Sequence, residues 1–199
     1  MNVRLQYDVE FLAGIYYEGS LKMNSYSVSM NLVTNSTDAV VTNVAMDRLK
    51  YFVFGALDST VFINGEYREQ AEMLTLLGVN VTTLPEEPVD QIIGMMLYYK
   101  LNAIMEGNMV VTALDISSEL GDSVWYQHDE EDNAGPFVKD GWWHKPGLQH
   151  DTVELEPVED KVVKVVNAGW HELGLAWPED DGPTPGNVVV FGNFRRNEN

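Results

Sequence analysis

The chain has 199 residues, no cysteine, 45% hydrophobic and 11% aromatic side chains, and a formal net charge of -19. That apolar content supports a packed core and excludes wholesale disorder, and zero cysteines exclude disulfides, thiolate zinc sites and a cysteine nucleophile. The charge, net -7 over residues 1–106 and -12 over 107–199, repels phosphate backbones and excludes ordinary nucleic-acid binding.

At the start, Val3, Leu5, Tyr7, Val9 and Phe11 alternate with Arg4, Gln6, Asp8 and Glu10. This is the pattern of a half-buried strand with one wet face, and no secretory leader is expected from it. "SYSVSMNLV" repeats it, with Tyr26, Val28, Met30 and Leu32 against Ser25, Ser27, Ser29 and Asn31. Gly19-Ser20 between them predicts an antiparallel pair. The period then changes in "VAMDRLKYFVFGAL", where Leu49, Phe52, Val53 and Leu57 form one helical stripe. Residues 65–83 are less regular, with a short helix expected at "REQAEMLTLLG". Pro88 opens the next helix, "VDQIIGMMLYYKLNAIME", whose apolar face is Ile92, Ile93, Met96, Leu97, Leu101 and Ile104. Gly107-Asn108 ends it, and "MVVTALDIS" and "DSVWYQ" read as two more strands. No run of 18 apolar residues is present to span a membrane.

The expected architecture over 1–127 is α+β, a four-stranded antiparallel sheet with two helices on one face in the order ββααββ. Beyond it the texture changes. Residues 128–160 carry Gly, Pro, charges and Trp142-Trp143, and "KVVKVVNAGW" and "NVVVFGNF" look like a late strand pair. Residues 128–199 are therefore expected to form a β-rich acidic extension, packed on the first domain or on a neighbouring subunit.

Three stretches resemble the tunnelling-fold (T-fold) family of 6-pyruvoyl- and 6-carboxy-tetrahydropterin synthases. "TNVAMDRLKYFV" is similar to its [DN]-[FL]-x-x-L-K helix start, with one extra residue before Leu49-Lys50. "LDSTVFIN" is similar to its LDH-x-x-LN segment. "EPVDQIIGMML" is similar to its P-T-x-E-N helix start, with Asp90-Gln91 where Glu-Asn is usual. The resemblance implies a homo-oligomer closed through strand edges, and zinc held by three histidines. At those positions this chain has Ile15, Lys22 and Asn24, which cannot replace imidazole around zinc. Glu18 stands where the catalytic cysteine belongs, and Ser59 follows Asp58 where the family has histidine. The family reaction then has neither a metal to polarise the substrate nor a tuned base. No catalytic residue, metal or cofactor is expected.

The family also grips its pterin ring with a glutamate after the third strand. "ALDISSEL" offers Asp115 or Glu119 for that role, and Asp58 is the third candidate ligand-binding residue. A carboxylate accepting two ring N–H groups needs no metal. The leading expectation is a cytoplasmic, zinc-free, non-catalytic relative that binds a purine- or pterin-like molecule. The alternatives are an acidic decoy for a basic, nucleic-acid-handling protein partner, and an enzyme with altered chemistry in the same pocket. All four histidines, His128, His144, His150 and His171, lie late; "HDEED" lacks the spacing of a calcium loop, and a new metal site from His144, His150 and nearby carboxylates is the minor alternative.

Overall fold

The computed structural model describes residues 3–122, 124–148 and 169–178. The first two strands, β1 (Arg4–Tyr17) and β2 (Ser20–Thr34), form one unbroken antiparallel ladder from Arg4↔Val33 to Tyr17↔Ser20. Glu18 and Gly19 turn the chain with φ 49° and 74°, the paired positive φ values of a type I′ hairpin turn. The alternation expected from sequence holds. Val9, Phe11, Ala13 and Ile15 on β1 share a buried face with Tyr26, Val28, Met30 and Leu32 on β2.

The sheet is larger than four antiparallel strands. It has six, in the order β4-β3-β1-β2-β5-β6, with β3 (Val61–Asn64), β4 (Val81–Leu84), β5 (Met109–Ser118) and β6 (Tyr126–Asp129). Strands β3 and β4 run parallel to β1. Both have only four residues, and β3 is buried on both faces, so neither shows the alternation that marks a half-exposed strand. The last strand also starts later than "DSVWYQ" suggests. Strand β5 changes parity at a bulge: Met109 and Val111 face the core before it, Leu114 and Ile116 after it.

Helix α1 (Ala39–Tyr51) is capped by Asp38, whose Oδ1 accepts from the Val40 N–H at 2.8 Å. It widens into a π-helical turn over Phe52–Leu57. Leu49, Phe52, Val53 and Leu57 are all buried, as their spacing requires. Helix α3 (Asp90–Met105) lies on the same sheet face and approaches so closely that a Cβ at Gly94 would come within 2.7 Å of Ile116. Met95, Met96, Met105 and Met109 fill this core. A third helix, α2 (Arg68–Leu76), covers the other face of the parallel strands. There Ala71 and Leu74 meet Val61, Ile63 and Val81.

Residues 130–148 wrap over α3 in irregular turns and bury Phe137, Trp142 and Trp143. The expected strands "KVVKVVNAGW" and "NVVVFGNF" lie outside the described residues, apart from Gly169 and Trp170. Two buried cations hold the wrapping. Lys100 Nζ, fully buried in α3, donates to the carbonyls of Trp142, Lys145 and Gly147 at 3.1, 2.8 and 2.5 Å. In the protonated side chain these match its three N–H groups one for one. Arg48 donates to Leu175 O at 2.7 Å, Ile104 O at 3.2 Å and Glu106 Oε1 at 2.7 Å. Its guanidinium also stacks on Trp177 and Trp170, at 3.9 and 4.8 Å from the ring centroids. One side chain thus ties α1, the end of α3 and residues 170–177 together.

Glu106 is half-exposed, so the ion pair itself is screened. The lost carbonyl and ring contacts should still cost Arg48→Met about 2–4 kcal/mol in urea unfolding. A loss below about 0.5 kcal/mol would show that Arg48 does not hold this lobe. Burial, with Lys145 nearby, pushes the Lys100 ammonium from 10.5 down to about 7. Between those values the unfolded chain binds the proton and the folded chain releases it, so stability rises with pH from 7 towards 10.5. The slope should reach about 1.4 kcal/mol per pH unit in the wild type. Lys100→Met should lack that increment, and parallel pH profiles of the two proteins would contradict it.

Candidate functional site

A cavity of about 320 Å³ opens where the β1–β2 hairpin passes the start of α3. The ladder register places Ile15 directly opposite Lys22, and the alternation of β2 puts Asn24 next along the same face. These are the three positions at which the resemblance implies zinc ligands, and the fold brings them to one wall. An alkyl group, an ammonium and an amide do not make a zinc donor set, so zinc does not fit here. Among the described residues no group of three His, Asp or Glu side chains is placed to hold a metal ion.

The opposite wall is the first turn of α3. Pro88 and Val89 lead the chain in, and Asp90 turns into the cavity wall only 8% exposed. The Ser118 hydroxyl lies 2.8 and 2.7 Å from its two carboxylate oxygens. The Gly121 N–H donates to Ser118 Oγ at 3.1 Å, which leaves the Ser118 proton directed at Asp90. A Cβ at Gly121 would press on the Asp90 carboxylate and Ser118 Oγ, so a larger residue there would displace the Asp90 side chain. Burial pushes the Asp90 carboxyl above the ordinary carboxylate range, and the Ser118 bond opposes the shift.

Asn24 is buried and accepts from the Leu120 N–H at 3.1 Å. Beside it lies the fully buried Tyr26 hydroxyl, which the Asn24 side chain approaches. Burial pushes this phenol up, the Asn24 side chain opposes the shift, and the Asp90 charge adds to it. Leu120 and Tyr126 complete the rim.

The carboxylates singled out from sequence lie elsewhere. Asp58 is exposed beside β1, where its Oδ1 accepts from the Leu12 N–H at 3.1 Å. Asp115 sits on β5 between Ser29 and Gln127, on the sheet face turned away from α1 and α3. Strands β1 and β2 separate it from Asp58, so the two stand about 10 Å or more apart. Glu119 is exposed, one residue before the cavity-lining Leu120, and its N–H donates to Ser25 O. The fold does not bring the three together. The carboxylate it does place in the cavity is Asp90, whose sequence signal was its position in the segment after Pro88.

A second concavity, about 530 Å³ and open, lies on the far face of the sheet. Asp8, Glu10, Ser27 and Ser29 form its floor, and Phe54 and Trp125, each about half exposed, flank it. The Ser29 hydroxyl donates to Asp8 Oδ1 at 2.6 Å, in the same cross-strand row as Asp115.

No protein-family model matches the chain, and no curated protein sequence does. Among solved structures it is similar to an uncharacterized protein from Wolinella succinogenes, at 11% identity and a TM-score of 0.49 over 65% of this chain and 99% of that one. It is also similar to 6-pyruvoyl tetrahydropterin synthase from Plasmodium vivax, at 11% identity and a TM-score of 0.42 over 64% and 97%. The synthase from Plasmodium falciparum stands at 12% and 0.41, over 64% and 96%. No helix among the described residues is long and apolar enough to cross a membrane.

Proposed function

We propose that this protein is a zinc-free, non-catalytic binder of a flat, polar purine- or pterin-like ring. The observation that carries the proposal is Asp90, a buried carboxylate held by Ser118 in the wall of a cavity of ligand size. A ring edge with two adjacent N–H donors offers such a carboxylate two charge-assisted hydrogen bonds. Asn24, in the facing wall, supplies a further polar contact. In this reading Glu119 stands at the rim, while Asp58 and Asp115 lie outside the cavity.

We further propose a homo-oligomer with residues 1–127 as its core domain and 128–199 as an extension. Residues Arg4–Ala13 of β1 pair with β2 alone, and β4 and β6 each have one unpaired edge among the described strands. Such edges call for cover.

Native mass spectrometry of the protein as purified reads both proposals: an oligomer mass, and an adduct of heterocycle mass. Asp90→Asn should weaken binding of pterin or guanine ten- to a hundredfold by calorimetry. The raised Asp90 pKa also sets a direction. Binding requires the ionised carboxylate, so affinity should fall as pH drops through that pKa, beginning above the range of an ordinary aspartate. Unchanged affinity in Asp90→Asn would defeat the ring reading.

The far face favours a second reading, capture of a basic protein partner. Carboxylates between two half-exposed aromatic rings suit an arginine or lysine side chain. Binding to an arginine-rich peptide should weaken steeply between 50 and about 500 mM salt and fall with Asp8→Asn and Glu10→Gln together. Salt-independent binding would count against it.

A further inference from the structure

The histidine of "HDEED" has no part in either reading of the concavities. His128 is only 7% exposed, whereas His144 and His171 are exposed. Strand β6 turns it towards α3, where its ring meets Tyr98 and Tyr99 edge-on, with centroids 4.8 and 5.7 Å away. On β5 the residue opposite is Leu114, and Asp115 lies on the other face of the sheet. Nε2 is buried without a hydrogen-bond partner, and Nδ1 stands 3.8 Å from Asp132 Oδ2, beyond hydrogen-bond length. Such a box suits a neutral imidazole. A proton would add a buried charge and an N–H with nothing to accept it.

An acceptor for a charged ring stands beside the box. Asp132 is half exposed, and its Oδ2 closes the turn after β6 by accepting from the Asp129 N–H at 2.9 Å. Asp129, Glu130 and Glu131 add negative charge to the same turn. The titratable groups of α3 here are Tyr98 and Tyr99, since Lys100 is directed to the carbonyls of Trp142, Lys145 and Gly147. His144 stands beyond Tyr99, 5.5 Å from that ring.

Strand β6 has four residues and pairs with β5, its outer edge unpaired among the described strands. It begins at Tyr126, on the rim of the cavity, directly after Trp125, which flanks the far concavity. A displacement of this one strand therefore reaches both.

We propose that His128 is an acid-operated latch on β6. Neutral, it packs the strand against α3; protonated, it leaves the Tyr98–Tyr99 box for Asp132, and β6 lifts with Tyr126 and Trp125. The latch does not depend on what either concavity binds. Burial holds the boxed ring below the ordinary histidine value of 6.5, against the pull of Asp132 and Asp129. The released ring takes its proton near that value and the boxed ring only at lower pH. Release therefore grows as pH falls between the two, by up to about tenfold per unit, and the latch stays closed above them.

The test is amide hydrogen exchange of the full chain between about pH 7.5 and about pH 5, corrected for the intrinsic pH dependence of exchange. Protection of residues 126–129 in the wild type should fall about tenfold or more across that range, while the β1–β2 ladder keeps its protection. His128→Phe and His128→Gln lack the proton site, and β6 protection in both should be constant with pH. Asp132→Asn, which keeps an acceptor for the Asp129 N–H, should move the loss to lower pH. Constant β6 protection in the wild type would overturn the latch. An equal acid loss in either His128 variant would overturn the role of His128, and an unshifted loss in Asp132→Asn would overturn Asp132 as the receiving group.

Discussion

The β1–β2 ladder is the constraint on which the rest of the molecule depends. Its register is continuous from Arg4↔Val33 to Tyr17↔Ser20 and is closed by a two-residue turn that fixes it. Every other element is placed against it. Strand β5 pairs along β2, β3 docks beside Gly14, Ile15 and Tyr16, and α1 and α3 cover the face that carries Phe11, Tyr26, Val28 and Met30. A slip by one residue would exchange that face for the one bearing Asp8, Glu10, Ser27 and Ser29. It would also take Lys22 and Asn24 out of the cavity, so core and site share a single cause.

The helical layer is closed in an unusual way, by two buried cations instead of apolar contact alone. Lys100 and Arg48 each satisfy backbone carbonyls of irregular segments that have no ladder of their own. A segment without regular structure has unpaired carbonyls, and a multi-donor cation is an economical way to bury several of them. The aromatic residues around them, Phe52, Trp142, Trp170 and Trp177, add ring faces to the same charges. These contacts lie away from the hairpin end, so the cavity stays open while the lobe is held.

At the cavity the chemistry differs from what the resemblance implies. Where the resemblance implies three imidazoles around a metal, one wall carries hydrocarbon, ammonium and amide, and the wall across from it carries Asp90 of α3. Asp90 is buried and bonded to Ser118, whose hydroxyl also accepts from the Gly121 N–H.

The sequence by itself determined the elements with a strong period. The wet and dry faces of β1 and β2, the stripe Leu49-Phe52-Val53-Leu57, and the helix after Pro88 were all legible, because each side chain's neighbours along one element decide its burial. The extra parallel strands were not, because "VFIN" and "VTTL" are short, and "VFIN" is buried on both faces, so it carries no alternation to read. Nor was the parity change in β5, which rests on a bulge against Asn31 and Leu32. For the site, the identities at Ile15, Lys22 and Asn24 already spoke against zinc. Which carboxylate shares their cavity is a matter of distance between elements far apart in the chain. Only the crossing of α3 over the hairpin end decided that it is Asp90, with Asp115 turned to the opposite face of the sheet.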